Sequence, residues 1–374
     1  MSTKYSDSLS SEENNKNSKK AEIITKNDPL KETNFYPWIK PNSKCHSLTG
    51  MLRLHYEILD FYHFIQLNNE EIELRNETYN YIKNMIEENF PDYTCELYGS
   101  FKTGLSLPNS DIDILILEKE VVMDDENNSD TNNNNSKSKS KSLFKSLKNI
   151  YNIFVEKKNE FNSLEMINAK VPIIKCIYKK TNIHIDISLF KEDGVLAVKE
   201  IDKLTKIYPE IKPLMLLIKY ALRQRDLNEI YKGGVSSFII FSLLYYYLTD
   251  VKKRIVNKIK NEKKEEKLES LGHLLIGFFT FYGYDFNYKK LKISIRNGCF
   301  LIERKDECKN ILSIENFQEI SQDMGRNCFQ YKKVQEFFKY ARDSLLCHDL
   351  NVESYLKTII FPDEFLRERV LKYK

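Results

Sequence analysis

Between residues 48 and 90 the apolar positions recur at helical spacing. Leu52, Tyr56, Leu59 and Phe64 make one stripe; Tyr79, Ile82, Met85, Ile86 and Phe90 make a second, which Pro91 closes. The pattern then shortens. Residues 95–98 run into Gly99-Ser100, and residues 111–117 form a β-branched, alternating run, so both are predicted strands. Residues 171–178 and 183–189 flank the polar turn 179–182 and predict a hairpin. From Ile211 the helical period returns, with Leu214, Met215, Ile218, Ala221 and Leu222 on one face. Residues 238–248 are apolar all round, as in a central buried helix, and 271–282 form another apolar helix. Residues 292–295 and 299–303, joined through Asn297-Gly298, predict a second hairpin, because Asn-Gly suits a type I′ turn. Val334, Phe337, Phe338, Ala341 and Leu345 mark a last helix. No internal repeat interrupts this order.

The resulting expectation is an α+β protein. A small mixed sheet with helices over 91–205 is inserted between N-terminal helices (48–90) and a larger helical domain (206–374), to whose side those helices are assigned. Residues 1–47 are set apart as a disordered N-terminal tail: the first 34 are Ser, Asn, Lys and Glu with little apolar content, and order begins near Tyr36-Pro37-Trp38. Within the sheet domain, 124–148 is low-complexity (Asn132 to Asn135, then alternating Ser and Lys) and is expected to be a solvated loop. A second basic stretch runs from 252 to 267.

Composition narrows the class only a little. At 374 residues, with 41% hydrophobic and 12% aromatic side chains, the chain has material for two to three domains, which excludes global disorder. The longest apolar stretch falls well short of the roughly 18–20 residues that cross a bilayer, and the polar N-terminus is unlike a secretory signal. The expectation is therefore a soluble, intracellular protein with no membrane partner. Fifty-eight basic against 54 acidic residues leave +4, too small a charge to demand or exclude nucleic acid. Seven cysteines, an odd number with no Cys-x-x-Cys pair, argue against a disulfide framework and a zinc ribbon.

The chemistry concentrates in residues 98–113. Asp111 and Asp113, two apart on a strand, point to one face, while Ile112, Ile114 and Ile116 cover the other. Carboxylates held about 6–7 Å apart repel unless a cation lies between them, and Mg²⁺, a hard ion that takes oxygen ligands, suits them. Asp186 is the third: in 183–189 the isoleucines take one face and leave His184, Asp186 and Ser188 on the other. An ionised group in so apolar a strand is costly unless paired or metal-bound. A lone Asp-x-Asp is more often a solvated strand end, and Gly-Ser before a helix is usually a turn. Their combination is far more specific: Gly99 permits close backbone approach, Ser100 offers a hydroxyl, and a helix N-terminus following them favours phosphate.

Gly99-Ser100, then Asp111-x-Asp113, then the distant Asp186 resemble the DNA polymerase β-like nucleotidyltransferase superfamily. Within it, residues 55–62, 99–108, 222–228, 233–238, 278–288 and 323–326 resemble the Trf-type nuclear poly(A) RNA polymerases, over about residues 48 to 345. That resemblance implies a nucleotidyltransferase palm over 91–205 and a PAP-associated helical domain. It also implies transfer of AMP from ATP to RNA 3′ ends with two Mg²⁺ (or Mn²⁺) ions held by Asp111, Asp113 and Asp186. Lys219 and Arg223, one helical turn apart, would approach the triphosphate. Ser236 and Ser237 would meet the γ-phosphate at a helix N-terminus, Phe238 would stack on the base, and Asp323 with Gln322 would lie in the loop that selects it. The family further implies a single-stranded RNA 3′ end, a zinc-knuckle RNA-binding protein and RNA helicase or exosome machinery as partners, and a nuclear location.

The sequence also departs from the family. The loop 315–323 lacks the usual Asp-Pro step, Gln322 stands in place of Asn, and Phe238 stands where many relatives have Tyr. Two alternatives stay open. A terminal uridylyltransferase of the same fold tends to carry a His in the base-selecting loop, and none lies between 315 and 326. A non-catalytic scaffold would show a broken aspartate triad, and this one is whole.

Overall fold

The computed structural model describes residues 36–119, 136–169, 171–189, 192–254, 270–296, 298–304, 312–315, 323–347 and 352–372. The tail expected up to residue 35, the first part of the low-complexity segment (124–135), the basic stretch beyond 254 and Gln322 lie outside them.

Two hydrophobic cores organise these residues. The first helix, α1 (Gly50–Ile65), buries Leu54, Ile58, Phe61 and Ile65 at the expected spacing. Its partners are α6 (Ile211–Arg223) and α8 (Leu271–Thr280). The second, α2 (Asn69–Asn89), starts at a capping box: Glu71 N–H donates to Asn68 Oδ1 (2.8 Å) and Asn68 N–H to the Glu71 carboxylate (3.0 Å). Its buried Ile82, Met85 and Ile86 pack with Cys95, Ile112, Ile114 and Ile116, on the sheet. The grouping of both helices with the helical domain is corrected for α2: periodicity identifies an apolar face but not the surface it meets.

The sheet has five strands in the order β1-β2-β5-β4-β3. β1 (Tyr93–Tyr98) is antiparallel to β2 (Ile112–Glu118), which is parallel to β5 (Ile183–Leu189). β5 forms the expected hairpin with β4 (Ile173–Tyr178), and β3 (Phe161–Ile167), absent from the sequence reading, pairs antiparallel with β4 at the edge. A four-residue helix, α3 (Gly99–Lys102), follows β1 directly. The solvated loop expected over 124–148 is corrected in its second half, because α4 (Ser136–Glu156) begins inside the Ser-Lys tract. Leu147, Ile150 and Phe154 recur at three- and four-residue spacing and are fully buried, so the helix is anchored from its C-terminal half and extends back into the polar segment.

After α5 (Glu192–Ile207), nearly every residue of α6 is buried. α7 (Ser237–Tyr246) and α8 are apolar all round, and each continues into a π turn, 247–251 and 281–285. The hairpin β6 (Leu291–Ser294) and β7 (Phe300–Glu303) turns through Gly298 and Cys299, both at positive φ. α9 (Tyr331–Leu346) and α10 (Glu364–Lys372) complete the order. The disordered tail to residue 47 is corrected from residue 36 onward: Trp38 and Cys45 are completely buried. The buried Glu57 carboxylate on α1 accepts from Trp38 Nε1 (3.1 Å), Tyr355 N–H (2.8 Å), Leu356 N–H (3.2 Å) and the Ser354 hydroxyl, tying residue 38 and residues 354–356 to one helix. The six described cysteines are free thiols, all but Cys347 buried. No helix among the described residues is long and apolar enough to cross a membrane.

Candidate active site

The ladder places Tyr98, Asp113, Asp186 and Lys175 side by side across four adjacent strands: Tyr98 opposite Asp113, Asp113 opposite Asp186, Lys175 opposite Asp186. Directly opposed residues share a face, so one row carries two carboxylates flanked by a phenol and an ammonium. Lys175 Nζ lies 2.8 Å from Asp186 Oδ2. Asp111 sits immediately before β2, at the end of a turn closed by Ser110 N–H on Leu107 C=O (2.9 Å).

This site carries excess negative charge. Burial, then the neighbouring Asp186 and Asp111, push the Asp113 carboxyl up to about 7. Burial also raises Asp186, against the opposing pull of Lys175. Lys219 is buried on α6, donates to Leu105 C=O (3.2 Å), and is pushed down to about 8 by burial, with Asp113 and Asp111 working against that shift. Among the described residues no three His, Cys, Asp or Glu side chains converge as a ready-made metal cage. Mg²⁺ takes hard oxygen ligands and completes its shell with water and substrate phosphates, so a site for it does not require a closed cage of side chains. The donor set is hard oxygen, and the mutual repulsion at Asp113 is what a divalent cation relieves.

The other expected residues divide. Gly99 has φ +66°, and a β-carbon there would stand 2.1 Å from Asp113 Oδ2, so its close approach is to the catalytic-face carboxylate itself. Ser100 lies on α3, whose four residues are too few for the strong N-terminal field the sequence reading invoked. Lys219 and Arg223 both reach the segment leading to Asp111: Arg223 donates to Asn109 C=O (3.3 Å) and Oδ1 (2.7 Å). Ser236 caps α7, its hydroxyl accepting from Ile239 N–H (3.2 Å), and Ser237 opens that helix. Phe238 is partly buried against the helical core.

Asp323 lies in the loop expected to select the base, and its carboxylate is bonded within that loop. One oxygen accepts from Ile314 N–H (3.0 Å) and Gly325 N–H (2.8 Å), the other from the Ser313 hydroxyl (2.8 Å). Its carboxylate holds its own loop together. Lys175 is the residue the sequence reading missed. A single lysine amid Val171 to Tyr178 is the same signal that marked Asp186: a charge in the centre of an apolar strand.

A mixed palm sheet with this acidic row, facing a helical lobe that contributes basic side chains, defines a nucleotidyltransferase of the DNA polymerase β-like type. Family models agree in two segments: a mitochondrial-like poly(A) RNA polymerase central palm domain over residues 54–202, and a Cid1 family poly(A) polymerase domain over 270–322. The chain is 29% identical over 354 residues to poly(A) RNA polymerase protein 1 of Saccharomyces cerevisiae, covering 91% of this chain and 50% of that protein. The chain thus spans about half the length of the curated relatives it matches. The polymerase core of TRAMP, an RNA surveillance complex, superposes with a TM-score of 0.70 at 27% identity, over 90% of this chain and 99% of that one. The Cid1 poly(U) polymerase shares the fold, with a TM-score of 0.66 at 21% identity over 83% and 99% of the two chains. Along most of its length the chain is thus similar to the Trf-type poly(A) RNA polymerases.

Proposed function

We propose that the protein extends single-stranded RNA 3′ ends without a template, transferring AMP from ATP. The observation that carries this reading is the acidic row: Asp113 and Asp186 on neighbouring parallel strands, with Asp111 two residues away. In the reaction the RNA 3′-hydroxyl oxygen bonds to the α-phosphorus of ATP, the bond to pyrophosphate breaks, and the hydroxyl proton passes to solvent. Asp111 and Asp113 would hold two Mg²⁺ or Mn²⁺ ions, with Asp186 a ligand of the one nearer the attacking oxygen. When bound, these ions supply charge neutralisation at the triphosphate and at the attacking oxygen. The chain's own part is positioning and electrostatics. Lys219, buried on α6 within electrostatic reach of Asp113 and Asp111, adds positive charge where phosphate charge must be accommodated. Arg223 can turn a second one on the triphosphate, Ser236 and Ser237 present the first turn of α7, and Phe238 offers its ring to the base.

The relatives' activity supports adenylate as the nucleotide, and the likeness to the polymerase core of TRAMP, an RNA surveillance complex, supports work within a complex of that kind; a zinc-knuckle protein, helicase or exosome machinery and a nuclear location rest on the family resemblance alone. Incorporation assays with each of the four NTPs on a single-stranded primer test the reading. ATP should win, and Asp186→Ala should abolish extension with the fold retained. Full extension by a folded Asp186→Ala variant would overturn the assignment of the site; incorporation of UTP at an equal or higher rate would make the protein a uridylyltransferase.

A further inference from the structure

The segment that delivers Asp111 is gripped from both lobes. From the sheet side, Arg75 in the second turn of α2 donates through Nη2 to the carbonyls of Pro108 and Ser110 (3.5 Å for the latter) and through Nη1 to Glu71 C=O (3.2 Å). From the helical side, Arg223 takes the carbonyl and side chain of Asn109, the residue between them. Three successive residues thus meet two guanidinium groups, and the next residue is Asp111. Within the segment, Leu107 N–H also donates to Ser110 Oγ (3.1 Å), so the turn is braced internally.

Arg75 is only 4% exposed. Burying a guanidinium is costly, and an apolar residue would pack α2 on the sheet at lower cost. What the arginine adds is a rigid, permanently charged fork aimed at backbone carbonyls. Its own helix is anchored in turn. Glu71, one turn earlier, pairs with the buried Arg369 of α10 (2.5 and 3.1 Å), which also donates to Phe64 C=O and Gln66 C=O (2.7 Å each) across the α1–α2 junction. The line of contacts runs from α10 through Glu71 and Arg75 to the carbonyl of Ser110.

We propose that Arg75 is a positioning residue for the metal-binding site, setting the direction of the Asp111 carboxylate through the backbone of residues 108–110. The proposal rests on the reading of the three aspartates as a divalent-cation site. Loss of a group that orients a metal ligand costs roughly 10–100-fold in metal affinity, which loss of a purely structural arginine would not.

The test is Mn²⁺ binding to the full chain, followed by the paramagnetic resonance signal of free Mn²⁺ with a non-hydrolysable ATP analogue present. Arg75→Met should weaken Mn²⁺ binding by about tenfold or more, and raised Mn²⁺ should restore most of the single-turnover rate. Arg75→Lys, which keeps the charge but loses the fork, should fall between Arg75→Met and the unaltered protein, and serves should the methionine variant not fold. Thr78→Val, a buried change on the same helix that removes hydroxyl bonds to Leu74 C=O and Thr181, is the control. It should lower the melting temperature without moving Mn²⁺ affinity. Unchanged Mn²⁺ affinity in folded Arg75→Met and Arg75→Lys would overturn this proposal alone. Mn²⁺ binding that survives Asp111→Asn with Asp113→Asn would overturn the cation-site reading, and the proposal with it.

Discussion

Gly99 lies against the carboxylate of Asp113, so closely that a β-carbon at position 99 would stand 2.1 Å from Oδ2 and 2.8 Å from Cγ. The turn leaving β1 and the acidic centre of β2 are one packing unit, since Tyr98 and Asp113 are direct cross-strand partners.

Gly99→Ala should therefore disable nucleotide incorporation through Asp113, because the added methyl must push the carboxylate out of its row. Left-handed backbone at φ +66° adds a strain of about 1–2 kcal/mol for any L-residue. Single-turnover extension beside urea denaturation separates the two effects. A variant that keeps its rate would show that the carboxylate can move without consequence.

Asp113→Asn should have opposite effects on activity and stability. Burial, Asp186 and Asp111 all oppose ionisation of Asp113, whose folded-state carboxyl sits near 7 against an ordinary 3.8. The folded state then binds more protons than the unfolded state between those values, so this group's contribution to stability falls as pH rises and is lowest above about 7. In chelator at pH 8 the asparagine variant should be more stable than the unaltered protein by at least about 1 kcal/mol, while extension is lost. Denaturation in urea checks the first and primer extension the second; lower stability of the variant would contradict the charge account.

Asp323→Ala should act on stability. Its carboxylate accepts from two backbone amides and one hydroxyl, and removing it leaves those donors unpaired at a cost of about 1–3 kcal/mol. A melting curve reads this directly. A variant of undiminished stability with an altered preference between ATP and UTP would return Asp323 to base selection.

His55 should make stability pH-dependent below the usual histidine range. Its Nδ1 accepts from the N–H of Leu271 (3.0 Å), the first residue of α8 after the Ser270 cap, and burial lowers its pKa below 6.5. The unfolded state then binds the extra proton first, so the contribution is intact above 6.5 and is lost as pH falls through the lower folded value. His55→Asn offers an acceptor without the titration and should flatten the melting temperature between about pH 5 and 7 relative to the unaltered protein. An identical pH profile in the variant would show that the imidazole plays no part.

Much of this architecture was legible in residue order. The hairpin of β4 with β5, and the placement of Asp113 and Asp186 each on the polar face of its own strand, follow from a period of two, which is a local property of extended backbone; the pairing of β2 with β5 that sets the two side by side does not. The resemblance to polymerases could be drawn from the same short segments. Other features were hidden because their cause is distant in the chain. α4 is helical through a Ser-Lys tract because Leu147, Ile150 and Phe154 find a sheet to cover. α2 leaves the helical lobe because that same sheet takes its apolar face.

The aspartate triad, the apolar faces and the turn residues were written in local pattern, where side-chain direction follows from backbone geometry alone. Which surfaces those faces meet, and which partner each charge finds, was decided only by the folded chain. Lys175 reaches Asp186 because β4 and β5 lie in register, Lys219 is buried because α6 is enclosed by other helices, and Asp323 caps its own loop because Ser313 and Ile314 return beside it. The reason is physical: an ionised side chain is stable in a folded protein only where long-range packing supplies a partner or water, and sequence spacing does not encode which of these it will meet.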